Sequence, residues 1–303
     1  MAISRQQLVK ELEPGLNALF GLEYKRYDQE HKEIYVTESS DRAFEEEVML
    51  SGFANAYVKP EGSAVAYDNA QETFTARYTN ETVALAFALT EEAMEDNLYD
   101  RLASRYTKAL ARSMSNAKQI KAVVPLNQGL PTTDNYDSGD AVSLFNTSHP
   151  CIGPTFQNTL STQADINETS LEQAMIDIAA FKDERGLKVA AKARKLIIPS
   201  ALQFTAERLL KSQGRVGTAD NDINALKNMN MIPEGYVVNH YLSDTDAWFV
   251  TTDVPNGLKH FDRAPLKTSM EGDFDTGNVR YKARERYVFG VSDWRGIFGT
   301  PGA

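Results

Sequence analysis

The amino-acid sequence predicts an α+β fold from three observations. An uninterrupted helical run occupies residues 90–121, short helical and apolar segments alternate from 169 to 251, and a long alternating strand spans 279–291. The strands that follow one another near the C-terminus favour antiparallel pairing. A length of 303 residues allows one large domain or two to three smaller ones.

The composition excludes several classes of protein. The chain has 32 Lys and Arg against 42 Asp and Glu, and this net charge of −10 argues against a protein that coats nucleic acid. Cys151 is the only cysteine, so no internal disulfide can form and a reducing cytoplasm is expected. No run of 18 or more apolar residues predicts a membrane span, and the first fifteen residues lack the apolar centre of a signal peptide.

The N-terminal segment is predicted to be an arm. Residues 3–12 have helical spacing, and Pro14 with Gly15 is expected to end this short helix. Because an aromatic ring buries a large area when it docks, one interpretation is an arm anchored on a neighbouring chain. The alternative is a surface segment that folds onto its own core. The separated aromatic side chains of this segment are Phe20, Tyr24, Tyr27, Tyr35 and Phe44.

Residues 48–89 have the pattern of a long β-ribbon. Apolar and polar side chains alternate at 64–67, 74–78 and 83–87, and Pro60-Glu61-Gly62 marks a turn. The apolar content is modest for so long a ribbon. Such a ribbon is stable only when it packs against something else.

The run at 90–121 is predicted to be one long amphipathic helix. Thr90 is a good N-cap, and Pro125 lies just beyond the expected end. An ordinary core helix explains the apolar stripe, but its charges are segregated into an acidic first half and a basic second half, which suits contact with other copies. The stripe is Met94, Leu98, Leu102, Tyr106, Leu110 and Met114. The acidic half is Glu91, Glu92, Glu95, Asp96 and Asp100, and the basic half is Arg101, Arg105, Lys108, Arg112, Lys118 and Lys121.

The rest of the chain alternates short elements. Helices are predicted at 169–184 and 200–212 from their apolar spacing. Strands are predicted at 196–200, 236–238, 247–251, 266–270 and 279–291.

No arrangement of residues supports an enzyme. The phosphate-binding, dinucleotide-binding, zinc and nucleophile-elbow motifs are all absent. His149 and Cys151 are the one pair that suggests a metal or a thiolate, but a turn histidine and a small buried thiol are the simpler interpretation. Residues 271–277 lack the spacing of a calcium loop, so a hairpin turn is expected there. No catalytic, cofactor-binding or metal-binding residue is therefore predicted.

A series of short motifs, in order along nearly the whole chain, carries a resemblance to a known family. The sequence resembles the tailed-bacteriophage major capsid proteins with the fold of phage Hong Kong 97, and within them the Mu-like major head subunits. The motifs are LFGLEY at 19–24, SSDRAFEEEVMLSGF at 39–53, EGSAVAYD at 61–68, TEEAMEDNLYDRL at 90–102, LFNTSHP at 144–150, LIIPSALQFTAERLLKS at 196–212, NDIN at 221–224, YLSDTDAWFVTTD at 241–253 and DWRGIFG at 293–299.

The resemblance implies a division of the chain into regions. It implies an N-terminal arm at 1–47, an extended E-loop at 48–88, a P-domain at 89–164 whose spine helix is 90–121, an A-domain at 165–255 and closing P-domain strands at 256–303. The arm, the ribbon and the charged helix would then be completed by neighbouring subunits in pentamers and hexamers. The candidate contact residues are Phe20, Tyr24, Tyr27, Lys59, Glu61, Arg77, Glu92, Asp96, Arg101, Arg105 and Arg112.

The resemblance also implies partners. A shell enclosing double-stranded DNA is expected to contact that DNA only weakly, since the chain is acidic. No long charged leader precedes the arm, so a separate scaffolding protein is expected, together with a portal and a decoration protein. A covalent crosslink cannot be transferred, because Lys59 has no assignable partner. Two other hypotheses are kept: an encapsulin-like compartment shell of the same fold, and a cytoplasmic enzyme that uses His149 and Cys151.

Overall fold

A computed structural model of the chain describes residues 5–90, 92, 99–130, 136, 138–215, 222–273 and 277–303; the side chains of 5–12 and 99–102 lie outside this description. The predicted α+β class is confirmed. The helices are α1 (Arg5–Arg26), α2 (Tyr99–Gln128), α3 (Glu168–Ala179), α4 (Gln203–Lys211) and α5 (Ala225–Asn228). The strands are β1 (Val36–Ser39), β2 (Phe44–Leu50), β3 (Glu72–Thr79), β4 (Glu81–Leu89), β5 (Ala193–Ile198), β6 (Tyr236–Val238), β7 (Trp248–Thr252), β8 (Leu258–Gly272), β9 (Val279–Val291) and β10 (Ile297–Thr300).

Helix α1 is longer than the sequence predicts. It continues through Pro14, so the expected stop at Pro14-Gly15 is wrong. A proline inside a helix forfeits one backbone hydrogen bond. Leu16 and Phe20 lie one turn apart and are buried against α2 and β9, and the burial of two large apolar side chains offsets that loss.

The segment after α1 packs onto the body of its own chain. A 3₁₀ turn at Glu30–Glu33 leads into β1, which pairs in parallel with β8. Tyr35 is buried and its hydroxyl donates to the carbonyl of Ala122, at 2.6 Å. For this part of the predicted arm, folding onto its own core is therefore the correct alternative.

The ribbon consists of β2 and β3, which pair antiparallel with Phe44 opposite Thr79. It therefore begins earlier and ends earlier than the predicted 48–89. Residues 51–71 join the two strands without regular structure, so the expected strand at 64–67 is wrong. These residues have no neighbouring strand within the described chain, and an isolated strand has no ladder of hydrogen bonds to hold it.

Helix α2 extends beyond its predicted end. Pro125 lies inside it, and the helix continues to Gln128 because Val123 and Leu126 are buried in the core. Tyr106 was expected on the apolar stripe, but 47% of its surface is exposed. A strict spacing of four residues drifts around a helix of 3.6 residues per turn, so the buried face instead follows Leu110, Ala111 and Met114.

The larger sheet has the strand order β1-β8-β9-β4. Strand β9 begins and ends where the sequence predicts, and its antiparallel pairing with β8 is confirmed. Its side chains alternate as predicted: Tyr281, Ala283 and Glu285 are buried, whereas Lys282 and Arg284 are exposed. Strand β8 has 15 residues, so it is far longer than the predicted 266–270.

The second sheet has the strand order β10-β7-β5-β6. Helix α3 begins at Glu168, after the N-cap residue Asn167, whose side chain accepts a hydrogen bond from the amide of Ser170. The helix ends at Ala179 rather than 184 because a turn follows. Helix α4 begins at Gln203 after a 3₁₀ turn at 200–202.

One continuous hydrophobic core joins the C-terminal half of α2 to both sheets. Trp248 and Trp294 are fully buried in it, beside Phe145 and Phe298. The buried residues of this core lie outside the ribbon, whose loop at 53–70 is exposed.

Candidate inter-subunit surfaces

The base of the ribbon is fixed to the body by a buried polar cluster. Lys259 of β8 is 5% exposed, and its ammonium group is paired with Glu47 of β2 and lies 3.3 Å from Glu38. Ser292 donates to Glu47 and is hydrogen-bonded to the hydroxyl of Tyr78. Since β2 and β3 each supply one member of this cluster, it fixes the angle at which the ribbon leaves the body.

Two glycines allow the ribbon to approach closely. A Cβ on Gly290 would lie 2.7 Å from Cδ1 of Tyr78. A Cβ on Gly139, which also has a positive φ of 99°, would lie 2.7 Å from the carbonyl oxygen of Thr75. The ribbon base is therefore packed too tightly for a side chain at either position.

The loop at the end of the ribbon is a wholly exposed surface. Every residue from 53 to 70 is exposed. Soluble proteins seldom expose so many large apolar side chains together, and such patches mark interaction sites. The exposed large apolar residues of this loop are Phe53, Tyr57, Val58, Val65 and Tyr67.

One ion pair ties this loop to the body. The Arg185 guanidinium lies 3.3 Å from Asp68 and also donates to the carbonyl of Asn69, at 2.5 Å. Asp68 accepts a hydrogen bond of 2.7 Å from the backbone amide of Ala54, so it links the two halves of the loop. The bond from Ala54, more than the nearby arginine, lowers the pKa of Asp68.

The structure separates the predicted ribbon residues. Lys59 and Glu61 are exposed in the loop, where the turn at 60–63 is closed by a bond from Ser63 to the carbonyl of Pro60. Arg77 instead lies on β3, where its guanidinium covers the ring of Phe44 at 4.1 Å and approaches Glu46 at 3.6 Å. Arg77 thus has partners within its own ribbon.

The arm residues face different surroundings. Phe20 is 2% exposed and packs on Tyr24 and Tyr281, so its ring is buried within its own chain. Tyr24 is half-buried, and burial raises the pKa of its phenol. Tyr27 donates to Glu23 at 3.1 Å and lines a shallow depression with Arg112. Tyr27 is thus the arm tyrosine that borders the exposed face of α2.

The predicted helix residues are exposed where they are described. Glu92, Arg105 and Arg112 are all exposed. Asp96 and the side chain of Arg101 lie outside the described residues. The exposed face of α2 is therefore basic along the described length.

Of the two residues that suggested an enzyme, His149 lies in the interior and Cys151 is half-buried. His149 is fully buried, with Nδ1 2.6 Å from Asp140, Nε2 3.0 Å from Asn158 and its ring stacked on Trp294. It is a core residue and not the turn histidine that the sequence suggested. Burial raises the pKa of the Cys151 thiol to about 12, which keeps it protonated and unreactive.

The described residues contain no group of three or more His, Cys, Asp or Glu side chains placed to hold a metal ion. Among these residues, no helix is both long enough and apolar enough to cross a membrane.

Sequence reasoning missed the residues that fix the ribbon. Glu47 lies in an acidic run that resembles an ordinary solvated face, and Lys259 lies in a strand with no distinctive spacing. Nothing in the sequence pairs Asp68 with Arg185, 117 positions away. Only the folded chain brings these groups together.

The fold, with a fixed ribbon whose apolar end has no core of its own, defines a protein completed by neighbouring subunits. The phage capsid protein family matches residues 72–299. This chain belongs to that family, so it is a structural component of the virion shell and not an enzyme. No curated protein sequence gives a significant match.

Solved structures share the fold at low sequence identity. The capsid of an empty GTA particle, computed with C5 symmetry, has 13% identity and a TM-score of 0.56 over 91% of this chain and 90% of that chain. The capsid of Myoviridae phage XM1 has 10% identity and a TM-score of 0.54 over 89% of each chain. A virus-like particle from Pyrococcus furiosus has 11% identity and a TM-score of 0.52 over 94% of this chain and 97% of that chain. The fold is therefore the capsid fold of phage Hong Kong 97.

Proposed function

We propose that this chain is the major head subunit of a tailed phage and builds an icosahedral shell from pentamers and hexamers around double-stranded DNA. The observation that carries this proposal is the family match over 72–299, which includes β3, α2 and most strands of the two four-stranded sheets. The exposed apolar loop at 53–70 supports it, since that loop gains a covered surface only in an assembly.

Two surfaces are assigned to contacts between subunits. The ribbon acts as the E-loop, with Lys59 and Glu61 at its exposed end. The exposed face of α2, with Arg105 and Arg112, meets acidic groups of a neighbour. Tyr27 extends that face, because it borders the same depression as Arg112. Closed shells form when such heterologous contacts are repeated around the symmetry axes.

The proposal includes the Mu-like subgroup and a set of partners. The motifs quoted from the sequence, such as LFNTSHP at 144–150, support the subgroup. A separate scaffolding protein, a portal and a decoration protein are the expected protein partners. The net charge of −10 supports only weak contact with packaged DNA.

An encapsulin-like shell that holds protein cargo is the second candidate. The likeness to the virus-like particle from Pyrococcus furiosus, which covers 94% of this chain, favours keeping it. The two functions differ in what the particle contains and in which proteins are made with it.

The test is electron microscopy of the purified protein, expressed alone and with its neighbouring genes, alongside size-exclusion chromatography. Icosahedral shells, or rings of five and six, are the expected result. Nuclease-resistant DNA inside the shells supports the phage head, whereas a protein cargo supports the second candidate. A monomer under every condition contradicts both.

A further inference from the structure

Strand β4 leaves one long edge of the larger sheet without a partner in the described chain. It pairs with β9 over all nine residues, without a bulge, and is the last strand in the order β1-β8-β9-β4. From Val83 to Leu89 it contains no charge, glycine or proline. Alternate residues of an edge strand present unpaired amide and carbonyl groups, so a long apolar edge invites another strand.

The other described edges are protected. Strands β1 and β10 have four residues each and β6 has three, which are too short to template a strand. The part of β8 that β1 does not cover, residues 263–272, contains charged residues and a proline and has register shifts in its pairing with β9. The ribbon has charged edges, including Glu46 and Arg77, and a register shift between Val48 and Leu50. Within the described residues, β4 therefore combines length, regular pairing and apolar composition as no other edge does.

The loop at the end of the ribbon contains a segment that has the sequence pattern of a strand but no partner strand in the described chain. Residues 63–67 alternate like a strand, with Val65 and Tyr67 on one side, yet they form no strand in the chain. Val65 is 63% exposed and Tyr67 is 97% exposed. Local preference and structure disagree at this segment, and such disagreement is expected at functional sites.

We infer that residues 63–67 of one subunit pair with the free edge of β4 on a second copy of this chain, adding a fifth strand to the larger sheet. This inference rests on the proposed shell function and names the site that receives the E-loop. Main-chain hydrogen bonds supply the contact, and the exposed side chains of Val65 and Tyr67 cover apolar surface on the neighbour.

The geometry favours a second copy over the same subunit. Tyr78, at the ribbon base, packs on Gly290 and Ser292 at one end of β9. Strand β4 runs along β9 from Tyr287 towards Val279, away from that end. The loop at the far end of the ribbon is also held on its own body by Arg185.

Disulfide trapping tests the pairing in assembled particles. In a Cys151→Ser background, Val65→Cys or Ala66→Cys is combined with Ala84→Cys, Leu85→Cys or Ala86→Cys. Adjacent residues of a strand point to opposite faces, so crosslinking should alternate: the loop position that links to 84 and 86 should not link to 85. The readout is a ladder of covalent multimers on non-reducing gels, with the single-cysteine variants as controls.

Each outcome decides the inference. An alternating ladder in particles, absent from unassembled subunits, supports it. Particles that form normally without crosslinks at any combination overturn the pairing and leave the shell function intact. Crosslinks within unassembled monomers overturn it as well, because they place the segment on its own subunit. A chain that never assembles overturns the pairing together with the proposed function.

A proline substitution provides an independent test. Ala66→Pro removes one amide from the segment and should lower the assembled fraction several-fold, with an unchanged thermal unfolding midpoint because the loop is exposed. Ala56→Pro places the same change in the other half of the loop and should assemble normally. Equal effects of the two prolines would contradict a specific role for 63–67.

Discussion

His31 and His260 meet edge to face with their ring centroids 5.4 Å apart, at the point where the N-terminal segment crosses the larger sheet. His260 also stacks on Phe289 at 4.4 Å, and both histidines are buried. Burial, reinforced by the Lys118 ammonium, lowers the pKa of His31 to about 4 and that of His260 to about 3. The segment after α1 is therefore attached to the sheet through two neutral imidazoles.

Acid should weaken this attachment well above the titration of ordinary carboxylates. An unfolded histidine binds a proton near pH 6.5 and these folded ones do not, so stability falls as the pH drops below 6.5 and levels off below the folded pKa values. At about 1.4 kcal/mol per pKa unit, His31 alone accounts for on the order of 3 kcal/mol of unfolding free energy. Urea unfolding of the subunit between pH 7 and 4 measures the slope.

Two variants separate the contribution of His31 to the pH dependence from that of the carboxylates, which are the same in every variant. His31→Gln should reduce the slope between pH 6.5 and 4. His240→Gln changes a histidine whose side chain is 64% exposed beside Glu30, and it should leave the slope nearly intact. Equal slopes in the wild type and His31→Gln would contradict the assignment.

Lys259→Met should destabilise the subunit by about 2–3 kcal/mol, because it leaves Glu47 and Glu38 without their buried cation. Arg77→Gln breaks the exposed pair with Glu46 and should cost under about 1 kcal/mol. Urea midpoints of the two variants give the comparison. A loss for Arg77→Gln as large as that for Lys259→Met would show that burial does not set the difference.

Gly290→Ala should lower stability by about 1–3 kcal/mol, since the added methyl group overlaps the ring of Tyr78. Gly272→Ala, at the end of β8, is a matched control because a Cβ there has no neighbour within 4 Å. Thermal unfolding of both proteins is the measurement. A stable Gly290→Ala protein would mean that the ribbon base can shift to make room.

The double variant Arg105→Gln/Arg112→Gln should assemble several-fold less efficiently, while its unfolding free energy stays within about 0.5 kcal/mol of wild type. Both side chains are exposed on α2, so their loss affects contacts with neighbours more than folding. Lys188→Gln/Lys192→Gln removes the same charge from exposed positions elsewhere and is the control. Light scattering during assembly distinguishes the two. Normal shells from the α2 variant would remove the helix from the contact surfaces.

Elements with strong periodicity could be predicted from the sequence. Strand β9 was placed correctly because buried Tyr281 and Ala283 alternate with exposed Lys282 and Arg284. Helix α2 was recognised from its length, but its end was placed too early. Local preference predicts that a helix ends near a proline. The burial of Leu126, which depends on tertiary packing, overrides that preference at Pro125.

The ribbon shows what the sequence could not establish. Alternation at 83–87 correctly indicated a strand, yet pairing with β9 instead of β3 depends on residues about two hundred positions away. The cluster of Glu47, Lys259 and Ser292 is likewise assembled from distant segments. Alternation at 64–67 reports a local preference, which the isolated chain does not satisfy.

The ion pair between Arg185 and Asp68 determines when the loop loses its conformational entropy: partly on folding of the subunit, and not wholly on assembly. A free loop of about twenty residues would have to be ordered at the moment a neighbour binds, at roughly 1–2 kcal/mol for each residue fixed. By holding the loop at its root, the subunit meets part of that requirement while it folds. The rate at which a shell grows then depends less on the ordering of this loop and more on how often correctly oriented subunits collide.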